Sequence, residues 1–153
     1  MLEVAPRHPR LLMTPFVDRV EVAYAAADLV VARAGAVTCS ELLASSRPSV
    51  LVPSPNVAED HQTFNAMEME RAGASVMVRE AQLLRRRYGG GGGGGGGGES
   101  ITRGGDVKLD ELVSSMFADP NRLEAMSKAA AARDTPTAAE DIAEDVVRVA
   151  LRA

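Results

Sequence analysis

The sequence has no tryptophan, two tyrosines and three phenylalanines, so only 3 % of its 153 residues are aromatic. A core built from it must rest on Ala, Val, Leu and Met. It has one cysteine, Cys39, which excludes an internal disulfide and suits a reducing compartment. It has no apolar run near the ~18 residues of a membrane span. Excess positive charge is also missing. The net charge is −4, which argues against a general nucleic-acid binder with a basic face. The one basic run, Arg85-Arg86-Arg87, abuts glycines and reads as a solvated loop edge. Metal-ligand spacing is missing too: His8 and His61 stand alone, and Cys39 has no partner. The first ten residues lack the apolar core of a signal peptide and are too short and Ser-poor for a transit peptide.

What is there is 46 % hydrophobic residues, enough at this length for one domain with a core. The pattern from Asp28 to Asn65 organises the rest. An apolar run (Leu29–Ala32), a buried strand by its unbroken apolar character, is followed by a turn with Gly35 and a helix (Val37–Ser45). A second apolar run (Ser49–Val52) sits between Pro48 and Pro53. A polar loop and a second helix follow, capped by Asp60, running to about Arg71 and ended by Gly73 as the residue past the cap. Ser75–Arg79 is a further strand. Such strand–turn–helix units build an α/β, Rossmann-like parallel sheet, with ligands at the carboxyl ends of the strands. Upstream, Arg10–Thr14 reads as a short strand and Asp18 as the N-cap of a helix over Arg19–Ala27.

Ten consecutive glycines, Gly89 to Gly98, interrupt the pattern. They cannot bury surface and lose the most entropy on ordering, so 85–105 is expected to be a disordered insertion between residues 1–84 and C-terminal helices in 106–153. Asp106 leads a helix over Val107–Phe117 with a stripe of Leu109, Leu112, Val113, Met116 and Phe117. Asp119-Pro120 opens the next, to Arg133. Thr135-Pro136 opens a last one with a stripe of Ile142, Val146 and Val149. Met67 and Met69 read as core filler. No internal repeat is visible.

Arg33, Thr38, Glu41, His61, Gln62 and Asn65 gather where the strands end. Gly35 permits a bend that a side chain would obstruct, and the following helix would point free N–H groups and its positive dipole end at a diphosphate. An ordinary strand-to-helix turn is the plainer alternative. Thr38 and Glu41 have the spacing of a capping box; equally, Glu41 could accept both hydroxyls of a ribose, as acidic residues do in dinucleotide folds. His61, Gln62 and Asn65 can share one helix face, where their donors and acceptors suit sugar hydroxyls or simply solvent.

The blocks Phe16-Val17-Asp18, Tyr24-Ala-Ala-Ala27-Asp28, Arg33-Ala-Gly35-Ala-Val-Thr38-Cys-Ser-Glu41, Val52-Pro53, Asp60-His-Gln62-Thr-Phe-Asn65-Ala and Ala72-Gly-Ala74 resemble the MurG-like UDP-N-acetylglucosamine transferases of glycosyltransferase family 28. The resemblance implies a GT-B enzyme, of which this chain would hold part of the C-terminal donor domain, acting in peptidoglycan precursor synthesis. It implies that the Val17 backbone meets uracil and that the Val37 and Thr38 N–H groups face the diphosphate. Glu41 would hold the ribose, and His61, Gln62 and Asn65 the N-acetylglucosamine. The reaction implied is inverting displacement at the anomeric carbon, without a cofactor or obligatory metal. The partners implied are a UDP-sugar and, through an acceptor-binding domain, a lipid-linked acceptor at a cytoplasmic or stromal membrane face. That domain and its candidate base find no counterpart here, nor do the donor domain's first two strands and their Gly-Gly-Ser turn. Ala34 replaces a common Ser, and the decaglycine tract is foreign to the family. In the fold's 3-2-1-4-5-6 strand order, Arg10–Thr14 would be the third strand and Leu29–Ala32, Ser49–Val52 and Ser75–Arg79 the fourth to sixth; without the first two, Arg10–Thr14 is expected either to pair with Leu29–Ala32 or to stay loose. The chain is then expected to be a fragment, the product of a truncated gene or one piece of a split enzyme, and inactive alone. Two alternatives remain open: a non-catalytic donor-binding subunit that needs a separate acceptor-binding chain, and an inactive nucleotide-binding module.

Overall fold

The computed structural model describes residues 10–55, 60–84, 107–134, 140, 143–144 and 147–148. Its elements run α1 (Val20–Ala26), β1 (Val30–Ala32), α2 (Ala36–Ala44), β2 (Ser49–Leu51), α3 (His61–Arg71), β3 (Ser75–Met77), α4 (Glu80–Leu84), α5 (Leu109–Phe117) and α6 (Pro120–Arg133). The three strands form one parallel sheet in the order β1-β2-β3, with Val31 opposite Val50 and Val50 opposite Val76.

Period-two alternation of the strand side chains divides the core between the two faces. On one face Leu51 packs with Ala34, Cys39 and Leu42 around α2, and with Ala66 and Met69 of α3. On the other, Val50, Val52, Val76 and Val78 meet Leu112 and Met116 of α5 and Met126 of α6. Helix α6 serves both, because its Ala130 lies in the first cluster. Strand β2 is therefore buried at every position, as a doubly covered parallel strand should be.

Two helix ends fix the strand register in the same way. After α3, Gly73 takes φ +78°, its N–H donates to Glu70 O and the Ala74 N–H donates to Met69 O. After α2, Ser46 takes φ +54°, with Ser46 N–H donating to Leu43 O and Arg47 N–H to Leu42 O. Both are Schellman motifs. Each reverses the chain into β3 or β2. Asp119 caps α6 as its sequence predicts, accepting from the Arg122 N–H, with Pro120 at the first helical position.

Several expectations are corrected. Arg10–Thr14 is not a strand: residues 11–14 have no regular structure and Leu12 is 88 % exposed. The Thr14 hydroxyl donates to the Phe16 carbonyl, and among the described residues the one strand that pairs with β1 is β2. Asp18 does not cap α1, which starts two residues later from Arg19 without a side-chain cap. The apolar run Leu29–Ala32 implied a strand buried on both faces, yet Val31 is 45 % exposed. It shares the face of Val50, and there α5 covers β2 and β3 but leaves β1 open. Helix α5 starts at Leu109, not near Asp106, and Phe117, at its last turn, faces out. Helix α4 was not foreseen; Gln82 reaches back to accept from the Arg79 N–H. The expected disorder over 85–105 and the stripe of Ile142, Val146 and Val149 lie outside the described residues.

Candidate functional site

The carboxyl ends of β1, β2 and β3 converge on the starts of α2, α3 and α4, and most of the candidate residues lie there. Gly35 is the N-cap of α2, and no side chain caps the helix. The Gly35 carbonyl accepts from the Cys39 N–H, while the first-turn N–H groups, including those of Val37 and Thr38, project from the positive end of the helix dipole. Val37 is 72 % exposed in that turn.

Two readings made from sequence change here. The capping box is excluded, because α2 begins at Ala36 and Thr38 is already its third residue. Glu41 stands a turn further in and does no capping; its Oε2 accepts from the Tyr24 hydroxyl at 3.3 Å. The conformational argument for Gly35 also fails. Its φ is −63°, and an added Cβ would find Thr38 Oγ1 no nearer than 3.8 Å. The chain itself does not demand a glycine at this position. The clearance instead keeps the space in front of α2 open.

Gln62 and Asn65 lie on the face of α3 turned to the sheet, as their three-residue spacing predicts. Their side chains hold backbone. Gln62 Oε1 accepts from the Ser54 N–H at 2.9 Å, and Asn65 Nδ2 donates to the Ala34 carbonyl at 3.1 Å. The two amides thus pin the loops that follow β2 and β1, and each has a second polar end. His61 is the first, exposed residue of α3. Asp60 stands at the N-cap position but does not cap the helix as expected: its φ is +55° and its side chain takes no backbone N–H; the carboxylate accepts from the Thr63 hydroxyl at 2.6 Å instead. Val17 sits three residues before α1, 44 % exposed.

Arg33 follows β1 and crosses the strand ends. Its Nη1 reaches the carbonyls of Val52 and Pro53, each at 3.3 Å, and Glu80 Oε2 at 2.5 Å. The pair ties the start of α4 to the site floor and leaves half of the arginine side chain exposed. A cavity of about 460 Å³ opens beside it, lined by Pro53, Asp60, Thr63, Arg79 and Glu80 among others.

Sequence reasoning missed the contribution of α1. Arg47, past the end of α2, donates from Nη1 to the Ala27 carbonyl at the end of α1 at 3.0 Å. Together with Tyr24–Glu41 this fastens α1 along α2. Burial, and then the negative charge of Glu41, push the Tyr24 phenol above its usual value, so it is a proton donor throughout the neutral range. No periodicity marks Tyr24 as a site residue, since its partner is 17 residues away. Among the described residues no cluster of three or more metal-ligating side chains occurs, and no helix is long and apolar enough to cross a membrane.

The family described as glycosyltransferase family 28 C-terminal domain matches residues 3–87. A protein of Salinibacter ruber is 42 % identical over 152 residues, covering 99 % of this chain and 35 % of the relative. One of Solidesulfovibrio magneticus is 37 % identical over 142 residues, 93 % of this chain and 33 % of its own length. Both are named UDP-N-acetylglucosamine–N-acetylmuramyl-(pentapeptide) pyrophosphoryl-undecaprenol N-acetylglucosamine transferase. The crystal structure of Acinetobacter baumannii MurG superimposes with a TM-score of 0.67 at 24 % identity, covering 88 % of this chain and 33 % of that one, which speaks for the fold alone. The chain spans about a third of the length of these relatives.

Proposed function

The chain belongs to glycosyltransferase family 28, matching its C-terminal domain, and from that premise we propose that it binds UDP-N-acetylglucosamine as the donor-holding part of an N-acetylglucosamine transferase. The observation that carries this reading is the start of α2. An uncapped helix terminus lies behind a glycine that the backbone does not require, and a carboxylate stands one turn further in. A diphosphate would accept from the Val37 and Thr38 N–H groups, and Glu41 would accept from the ribose diol. The Val17 backbone would meet the uracil. The remaining polar ends of Gln62 and Asn65, with His61, would meet the sugar.

In the reaction, an acceptor hydroxyl displaces the diphosphate from the anomeric carbon with inversion. Negative charge grows on the leaving UDP, and the aligned N–H groups of α2 stabilise it in place, with no reorganisation and no resident metal. The acceptor, which the relatives' names describe as a lipid-linked muramyl-pentapeptide, would be held outside this chain, by the other two thirds of such an enzyme in the same polypeptide or in a separate subunit. By itself the chain binds donor and does not turn it over.

Calorimetry with UDP tests the reading. Gly35→Ala should change the melting temperature little, because the new Cβ meets only Thr38 Oγ1, at an ordinary contact distance of 3.8 Å, yet weaken UDP binding. Glu41→Ala should cost about 1–3 kcal/mol of affinity. UDP affinity unaltered in both folded variants would reduce Gly35 and Glu41 to parts of an ordinary turn and helix.

A further inference from the structure

Glu41 can serve a ribose only if its carboxylate points at it, and a glutamate on an open helix face has three torsions with which to point elsewhere. The neighbouring helix supplies a constraint. A cavity of about 400 Å³ runs between α1 and α2, bounded by Val20, Tyr24 and Ala25 on one side and Glu41, Ala44 and Arg47 on the other. Glu41 is half-buried at its wall. The Tyr24 ring packs against the core cluster beneath α2, and its hydroxyl donates to one carboxylate oxygen, Oε2. Arg47 fixes α1 at its end through the Ala27 carbonyl, so the ring is held by both packing and backbone.

We propose that Tyr24 is a positioning residue for the donor's ribose: by holding Glu41 Oε2 it turns Oε1 and the remaining lone pairs toward the 2′- and 3′-hydroxyls. The inference rests on the donor reading above. A carboxylate has about four acceptor positions on two oxygens, so one tyrosine contact leaves room for a diol. The 3.3 Å separation is longer than the 2.5–3.0 Å usual for such a bond. The contact is thus a weak one, and it leaves the other acceptor positions of the carboxylate open. Because burial and the adjacent Glu41 charge hold the phenol protonated, the direction of the bond is settled: tyrosine donates and glutamate accepts. The arrangement confers selectivity for ribose over 2′-deoxyribose, since only a directed carboxylate gains from the second hydroxyl.

The test is a binding cycle on the full chain with UDP and 2′-deoxy-UDP. Tyr24→Phe keeps the ring and its packing and removes the one donor. It should weaken UDP about three- to tenfold and leave 2′-deoxy-UDP nearly unchanged. In a Glu41→Ala background the same substitution should have no further effect. In the wild-type chain, the Tyr24 ring resonances should shift on adding UDP and much less on adding 2′-deoxy-UDP, a readout that does not depend on how the variant folds. Equal weakening of both nucleotides would make Tyr24 a packing residue, and unchanged UDP affinity or silent ring resonances would also overturn the proposal. Loss of UDP affinity in Glu41→Ala with no effect of Tyr24→Phe would leave the donor reading standing and sink only this one. Failure of the folded wild-type chain to bind either nucleotide would sink both.

Discussion

Single residues carry more than one possible role, and the sequence does not choose between them. Thr38 and Glu41 have capping-box spacing, but which residue caps α2 depends on where the preceding strand releases the chain, and that is a property of the sheet. Gln62 and Asn65 are legible as a polar pair on one face; that they hold the Ser54 N–H and the Ala34 carbonyl requires loops the sequence does not specify. Cys39 is clearer. It lies on the buried face of α2, 8 % exposed, and burial pushes its thiol above the ordinary 9.0. The native chain thus keeps the proton at pH values where the unfolded chain has lost it. Its contribution to stability is complete below about pH 9 and is lost as the pH rises through the raised value. Urea midpoints measured against pH should fall more steeply above pH 9 for the wild type than for Cys39→Ala. At pH 8 the native thiol should react with a disulfide reagent far more slowly than in denaturant. Parallel midpoint curves and fast native labelling would mean that Cys39 is not buried as described.

Elements were legible where their punctuation is local. Gly73, Asp119 and Pro120 mark helix ends by their own chemistry, and α3 and α6 end or begin beside them. Arg10–Thr14 was misread because an apolar run becomes a strand only if another strand accepts its backbone groups. At the end of α2 the residue in the left-handed conformation is Ser46, which carries no such mark. The two Schellman motifs make opposite predictions. At Gly73, φ is +78° and the nearest atom to an added Cβ is 3.7 Å away. Gly73→Ala therefore pays in backbone strain and not in collision, about 1–2 kcal/mol of stability. At Ser46 the strain is already present. Ser46→Gly removes it while adding entropy to the unfolded chain, for a net gain of about 0.5 kcal/mol, and its carbonyl remains available to the Ser127 hydroxyl that donates to it at 2.8 Å. Chemical denaturation of the two variants should move the midpoint in opposite directions. A stabilised Gly73→Ala variant would contradict the left-handed cap.

At the scale of the whole molecule, β1 is the weak side. Among the described residues it lies at the edge of the sheet and pairs with β2 alone. One face over it is uncovered, so Val31 is 45 % exposed. Upstream, Leu12, Met13 and Phe16 are 88 %, 65 % and 73 % exposed, in a segment where no strand has formed. An edge with unpaired backbone groups beside apolar side chains is a template for another strand. In the 3-2-1-4-5-6 order the neighbour of this edge would be the first strand of the domain, and none of the described residues fills that place. The isolated chain should therefore associate through β1 as its concentration rises, seen as growing scattering intensity and a melting transition that depends on concentration. Val31→Lys places a charge on the open face and should suppress that association while leaving the β1–β2 ladder intact, since lysine on an edge strand blocks pairing without removing a ladder hydrogen bond. A wild-type monomer with a sharp, concentration-independent melt would show that the three strands and their helices are sufficient by themselves, and that the edge of β1 is protected by residues beyond those described.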